Sequence, residues 1–293
     1  MNVDNSLTAN IRLRDAPRMS RALLILMGVL VVVIVFATPY LWLIVSTFKT
    51  REDLFADMYP FSWRVFIPVA PTLENFRTLF LEYDFYIPVL NSLGLALAAV
   101  IISTFLNSMM AFVLSWLKFP GRRLVFFTIL ATLLVAFEAK IVPLFIIVQR
   151  LNLYNTYLAI LIPWITDAYF IFLLRQHFLD LPKDLFDAAT VDGSSYFRTF
   201  WSVMLPNIKP GLISAMFIKF IFTWDSFIWP LIAVRDESKK VINVAIAGFF
   251  TDDYVLWELV FAGSFVATIP VIIVFFFLQR YYVQGFVTSG LKG

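Results

Sequence analysis

Six stretches of this chain are each long and apolar enough to cross a lipid bilayer as a helix, and that alone dismisses most folds. Crossing the hydrocarbon core takes about 20 apolar residues at about 1.5 Å of rise each. Runs of that kind lie at Ala22–Val45, Ile87–Trp116, Leu124–Val148, Tyr157–Leu174, Leu212–Val234 and Trp257–Tyr281. Polar, proline-dotted segments separate them, the longest at about 49–85 and 175–210. With 61% hydrophobic and 15% charged residues, the 293-residue chain has more apolar surface than a water-soluble domain can hide; such domains run at about 45–50% and 25%. Lipid offers the backbone no hydrogen bonds, and runs of about 20 residues rather than about 10 read as helices. The expected fold is an all-α membrane protein of about six transmembrane helices, with a segment 1–21 followed by a membrane domain over 22–293.

The first run follows Arg12, Arg14, Arg18 and Arg21, as the core of a signal peptide would. Its apolar part is too long for that, and no small-residue cleavage site follows, so it reads as a retained helix. Lys and Arg near helix ends set orientation. With six spans, the N-terminal arginines, Lys118, Arg122, Arg123, the basic residues of 175–210 and the tail share one side, where they outnumber those of the other. That places both termini and the 175–210 loop in the cytoplasm, and 49–85 outside. The chain has no cysteine and a single histidine, His177. Disulfides, thiolate metal sites and cysteine nucleophiles are excluded, and a histidine metal site or a Ser–His–Asp machine has little to work with. No metal or cofactor is expected on the chain, nor nucleic acid as a partner.

The 175–210 loop has a legible interior. Pro182 suits the first turn of a short helix, with Leu185, Phe186, Ala188, Ala189 and Val191 as its apolar surface. Gly193 takes a left-handed C-terminal cap without strain. Ser194 or Ser195 can cap a second helix carrying Phe197, Phe200, Trp201 and Met204, expected to end before Pro206. The result is a helical hairpin whose two alanines let another surface approach closely.

Asp187-Ala188-Ala189, then Asp192-Gly193, then Val203-x-Leu205-Pro206 resembles the EAA motif of binding-protein-dependent ABC importer permeases. That motif reads E-A-A-x-x-D-G, nine residues, I-x-L-P, and nine residues separate Gly193 from Val203. Asp187 stands for Glu, keeping the charge with a shorter reach, and Val203 stands for Ile. Thr72–Phe76, Asn91-Ser92, Phe119–Arg123, Asn155-Thr156 with Pro163, Trp224–Phe227 with Trp229-Pro230, and Gln284-Gly285 with Gly290–Gly293 resemble landmarks of the carbohydrate branch, in particular the second permease of maltose-type importers. The resemblance implies a type I importer permease fold in a bacterial inner membrane. Its implied partners are a second homologous permease, two ATPase subunits and an external solute-binding protein, and its implied cargo is a sugar. Asp187, Ala188, Ala189, Asp192, Gly193, Leu205 and Pro206 would form the coupling element against an ATPase. ATP and Mg²⁺ would be held by the ATPase subunits, since this chain has no G-x-x-x-x-G-K-[ST] loop.

Charges within spans are costly in lipid and should face protein or a water-filled path. Glu138, Lys140, Asp167, Lys219 and Asp225 are such charges. Mutual pairing and pathway lining are both open to them. Trp224, Phe227 and Trp229 either stack on sugar rings or form an interfacial aromatic belt. Lys219 and Asp225 are six apart, and Glu138 and Lys140 two apart, so neither pair shares a helix face. Lys140 and Lys219 are therefore expected to point at the pathway, which would favour an acidic oligosaccharide; the competing reading makes both lysines structural. An importer for a non-sugar solute is one alternative function. An ion-coupled secondary transporter is another, but such proteins carry broken helices and inverted repeats, and neither is evident here.

Overall fold

The computed structural model describes residues 6–56, 58–59, 61–251 and 254–290, with side chains from 22 to 278 apart from 57, 60, 252 and 253. The side chains of the tail landmarks from Gln284, residues 291–293 and the side chains of the N-terminal arginines lie outside the described residues. Apart from one isolated bridge between Phe250 and Val255, the regular structure described is helical.

The principal helices are α1 (Ser6–Thr47), α2 (Tyr86–Trp116), α3 (Arg122–Leu134), α4 (Phe137–Arg150), α5 (Tyr157–Trp164), α6 (Ala168–Leu179), α7 (Lys183–Val191), α8 (Tyr196–Asn207), α9 (Lys209–Trp224), α10 (Ile228–Ala233), α11 (Ile242–Ala247) and α12 (Trp257–Gly290). Ala22–Thr47, Tyr86–Trp116 and Trp257–Leu278 are long and apolar enough to cross a membrane unaided. The remaining apolar chain forms three bent pairs: α3–α4 at 103°, α5–α6 at 45° and α8–α9 at 85°. Six spans result when each pair counts as one.

Broken helices, invisible in the sequence, are therefore a main feature of the fold, and their absence no longer argues against an ion-coupled transporter. The expected run Leu124–Val148 turns at Val135–Ala136, after which Glu138 lies in the first turn of α4, where a carboxylate favours a helix start. The run Tyr157–Leu174 breaks before Asp167, whose side chain accepts the Tyr169 N–H at 2.8 Å and so caps α6. The run Leu212–Val234 ends as a helix at Trp224 and resumes at Ile228.

By internal packing the residues fall into two units. One comprises the chain to Phe76 with Trp257–Phe265. There the large apolar side chains from Leu23 to Phe36 are all more than half exposed, as lipid contact requires. The end of α1 is tied by polar groups. Thr47 donates to the Phe261 carbonyl, Asn75 donates to Thr47 O and Lys49 O at 2.8 Å each, and the buried Lys49 ammonium donates to Arg64 O and Val65 O.

The other unit runs from Arg77 to Leu256 and resumes at Val266. Its axis is α2, which packs on α6 and α9. Ala96, Ala99, Ser103, Asn107 and Ala111 recur every three or four residues along it and are wholly or almost wholly buried. A stripe of small residues lets helix backbones approach closely where lipid gives no hydrophobic drive. At the start of α2, Asn91 donates to Ser238 O and Lys240 O, and the Ser92 hydroxyl accepts the Ile242 N–H. The loop between α10 and α11 is thereby pinned. Within it, hydrogen bonds from Lys239 and Ser238 hold the Asp236 carboxyl below the usual carboxylate range.

Candidate functional site

Two places collect the residues singled out from the sequence, and both lie in the second unit. The first is the hairpin of α7 and α8. Gly193 has φ +71°, a left-handed conformation that side chains with a Cβ adopt only under strain. Around it the Gly193 N–H donates to Thr190 O at 3.1 Å and the Ser194 N–H to Ala189 O at 3.0 Å. These are the two bonds of a Schellman cap, so Gly193 closes α7 as expected. Of the two serines, Ser195 caps α8 by accepting the Arg198 N–H. Pro182 sits one residue earlier than expected, as the N-cap.

One boundary differs: α8 continues through Pro206 to Asn207. Thr199–Met204 is a π-helical segment, and the Leu205 N–H reaches back to Phe200 O. The wider turn absorbs what proline disturbs. The bend then falls at Ile208, ahead of Pro210 in the first turn of α9.

The hairpin has an anchored side and a free side. Phe186 stacks on Trp116 with ring centroids 5.2 Å apart, and Phe112 packs on Phe178, Phe186 and Phe200. Phe200, Met204 and, partly, Leu205 are buried in this contact, and Ala189 is buried as well. Trp116 Nε1 donates to Phe178 O. Asp187, Ala188, Val191, Asp192, Gly193 and Pro206 remain exposed, Val191 to 87%. Of the seven expected coupling residues, five are thus exposed, Ala189 is buried, and Leu205 packs into the cluster behind the hairpin.

The second place is a cavity of about 440 Å³ where the helix interruptions meet. Phe137 begins α4, Trp164 and Asp167 flank the α5–α6 bend, and Asp225, Ser226 and Phe227 link α9 to α10. Lys219, Phe222, Thr223 and Trp229 complete most of the wall. Four of the six expected pathway residues, Lys219, Asp225, Phe227 and Trp229, are therefore brought together. Trp224 is not among them: it is buried, stacked on Phe220, with Nε1 donating to Ala267 O. Lys140 is not among them either: it is exposed in an adjoining hollow with Val135, Pro143 and Ile147 that shares Phe137 and Trp164 with the cavity.

Lys219 is 3% exposed. Its ammonium donates to Trp164 O and lies 5.0 Å from the centre of the Phe170 ring. Trp164 O is a carbonyl that the α5–α6 bend leaves without a helical partner. Asn107, fully buried on α2, serves the same bend: its Nδ2 donates to Ile165 O at 3.4 Å and its Oδ1 accepts the Asp167 N–H at 3.1 Å. Of the two lysines expected to act together, only Lys219 lines this cavity, and it shares it with Asp167 and Asp225. The charge argument for an acidic cargo thus keeps one lysine in the cavity wall, beside two carboxylates. Sequence reasoning missed Asn107, Trp164 and Phe137. A lone asparagine within an apolar run was the available signal for the first.

A broken-helix membrane domain with an EAA-type hairpin points to one class of transporter, and a family model decides the matter. Residues 18–287 match the binding-protein-dependent transport system inner membrane component. The chain belongs to that family. It is accordingly a multi-pass membrane permease subunit. The arabinooligosaccharide transport system permease protein AraQ of Halalkalibacterium halodurans is 31% identical over 271 residues, covering 92% of this chain and 96% of that protein. The diacetylchitobiose uptake system permease protein NgcG of Streptomyces coelicolor is 32% identical over 275 residues, covering 92% and 87%. Among solved structures, a chain of a bacterial ABC transporter involved in import of the acidic polysaccharide alginate superposes with a TM-score of 0.79 at 22% identity, over 92% of this chain and 98% of that one. This last likeness speaks to the fold.

Proposed function

We propose that this chain is one of two non-identical permeases in an ABC importer that carries an oligosaccharide inward. An external binding protein delivers the sugar, and two ATPase subunits hold ATP and Mg²⁺ and drive the cycle. This subunit hydrolyses nothing and converts motion. The sugar assignment draws on relatives named for arabinooligosaccharide and diacetylchitobiose transport that align along about nine-tenths of the chain.

The observation that carries the mechanism is the two-sided hairpin. Asp187, Ala188, Asp192 and Gly193 face outward with Val191, a small, smooth and acidic surface suited to a cleft in an ATPase on the cytoplasmic side. Behind them, Phe186 and Phe200 key into α2 and α6. Closely packed aromatic side chains transmit displacement because interiors have little free volume. Movement of the ATPase would therefore shift α2, which carries Asn107 at the α5–α6 bend.

The test is uptake by the assembled complex in proteoliposomes, offered arabinotriose, lactose, diacetylchitobiose and trigalacturonate with ATP. ATP-dependent accumulation of at least one is expected, abolished when the binding protein is left out. Accumulation of none, or accumulation driven by an ion gradient without ATP, would overturn the reading.

A further inference from the structure

The cavity at the helix interruptions has a composition that the coupling role does not use. Irregular backbone at membrane depth persists only where protein buries it or where it lines a cavity. Discontinuous helices often mark where a transported molecule sits. Here three interruptions contribute wall to one space. Its volume of about 440 Å³ falls within the range of small-molecule sites.

Lys219 is almost wholly buried and spends one ammonium proton on Trp164 O. An ammonium has three donors, so two remain. Trp164 also lines the cavity, and its Nε1 is buried without a partner among the described residues. Asp225 is exposed on the same wall, and Asp167 uses one carboxylate oxygen on Tyr169. Phe227 and Trp229 supply aromatic surface beside them. Unspent donors, unspent acceptors and ring faces in one place match a sugar ring, whose hydroxyls both give and accept hydrogen bonds and whose C–H face packs on aromatics.

The charges narrow the class. One ammonium and the partial positive charge at the start of α6 stand against two carboxylates. An uncharged ring meets a nearly balanced field. A uronate would bring a third carboxylate beside the two already on the wall, and like charges repel. We infer that the cavity walled by Lys219, Asp167, Asp225, Trp164, Phe227 and Trp229 is a sugar subsite within this subunit that accepts uncharged, hydroxyl-rich rings and disfavours uronates. The inference rests on the oligosaccharide-import reading above.

The absence of cysteine allows a direct test. Ser226→Cys places a single thiol of this subunit on the cavity wall, and maleimide labelling is followed on this subunit's gel band in the assembled importer during ATP turnover. Saturating arabinotriose, lactose or diacetylchitobiose, whichever the importer accumulates, should slow labelling about tenfold, because only unoccupied molecules react. Trigalacturonate should leave the rate within about twofold of the sugar-free value. If Ser226→Cys does not support uptake, Thr223→Cys on the same wall replaces it. Uptake that persists while labelling ignores the transported sugar overturns the subsite. Protection by trigalacturonate equal to that by the neutral sugar overturns its selectivity. Loss of all oligosaccharide uptake in the unaltered importer is a failure of the functional reading instead.

Discussion

Gly193 and Gly211 are both glycines for a reason, and the reasons differ. At Gly193 there is room for a Cβ, with nothing within 4 Å of it, but φ is +71°. The constraint is conformational, and a β-branched residue there should lose about 1–2 kcal/mol or tilt the hairpin. Gly193→Val is expected to cut sugar uptake and sugar-stimulated ATPase activity at least about tenfold in the assembled complex, while Gly193→Asn, which tolerates the left-handed cap, keeps most of both. Normal transport with Val would remove the hairpin from the coupling path. At Gly211 the backbone is ordinary, but a Cβ would lie 2.2 Å from the His177 ring. Gly211→Ala should therefore destabilise by about 1–3 kcal/mol. Adding His177→Ala should recover most of the loss in a melting curve. If the double substitution is no better than the single, the contact is not what fixes glycine there.

The α5–α6 bend depends on groups from two other helices. Asn107 answers both Ile165 O and the Asp167 N–H, and Lys219 answers Trp164 O. Asn107→Leu keeps the volume and leaves two backbone groups without a side-chain partner, each costing about 1–3 kcal/mol where water is scarce. Its melting midpoint in detergent should fall well below that of Ser108→Ala, which removes only a bond to Phe105 O on the same helix. Equal midpoints would mean that the bend needs no support from α2.

The spans were legible because their signal is summed over some 20 residues each. The hairpin was legible because Pro182, Gly193 and Ser195 act through local backbone geometry. The bends were not. They turn on single residues such as Asp167, and their stability comes from Asn107 and Lys219, remote in sequence. For the same reason the cavity's aromatic wall could be listed from the sequence only in part. Trp224 and Trp229 are alike as residues, and only packing sends one to Ala267 and the other to the wall. The landmarks were visible without their roles: Asn75, Asn91 and Asn155 each prove to use a side-chain amide to hold a distant backbone segment.

At the scale of the whole molecule, one helix links cavity and hairpin. Asn107 and Trp116 lie nine residues apart on α2, roughly 14 Å of rise, so a push on Phe186 reaches the α5–α6 bend through a single rigid element. That linkage serves import only if the hairpin faces the ATPase side, and its side depends on whether α3–α4, bent by 103°, truly crosses. If it does, an N-terminus inside puts the loop before α3 inside, the turn after α4 outside, and the hairpin inside. If the pair instead enters and leaves by the same face, the hairpin is carried to the outer face, where no ATPase is found. Single cysteines decide it in this cysteine-free chain. Tyr59→Cys and Leu151→Cys, at residues 95% and 59% exposed, should react with an impermeant maleimide added outside intact cells. Lys118→Cys and Tyr196→Cys should react only after permeabilisation. Labelling of positions 118 and 151 from the same side would make the pair re-entrant and end the docking role assigned to Asp187–Gly193.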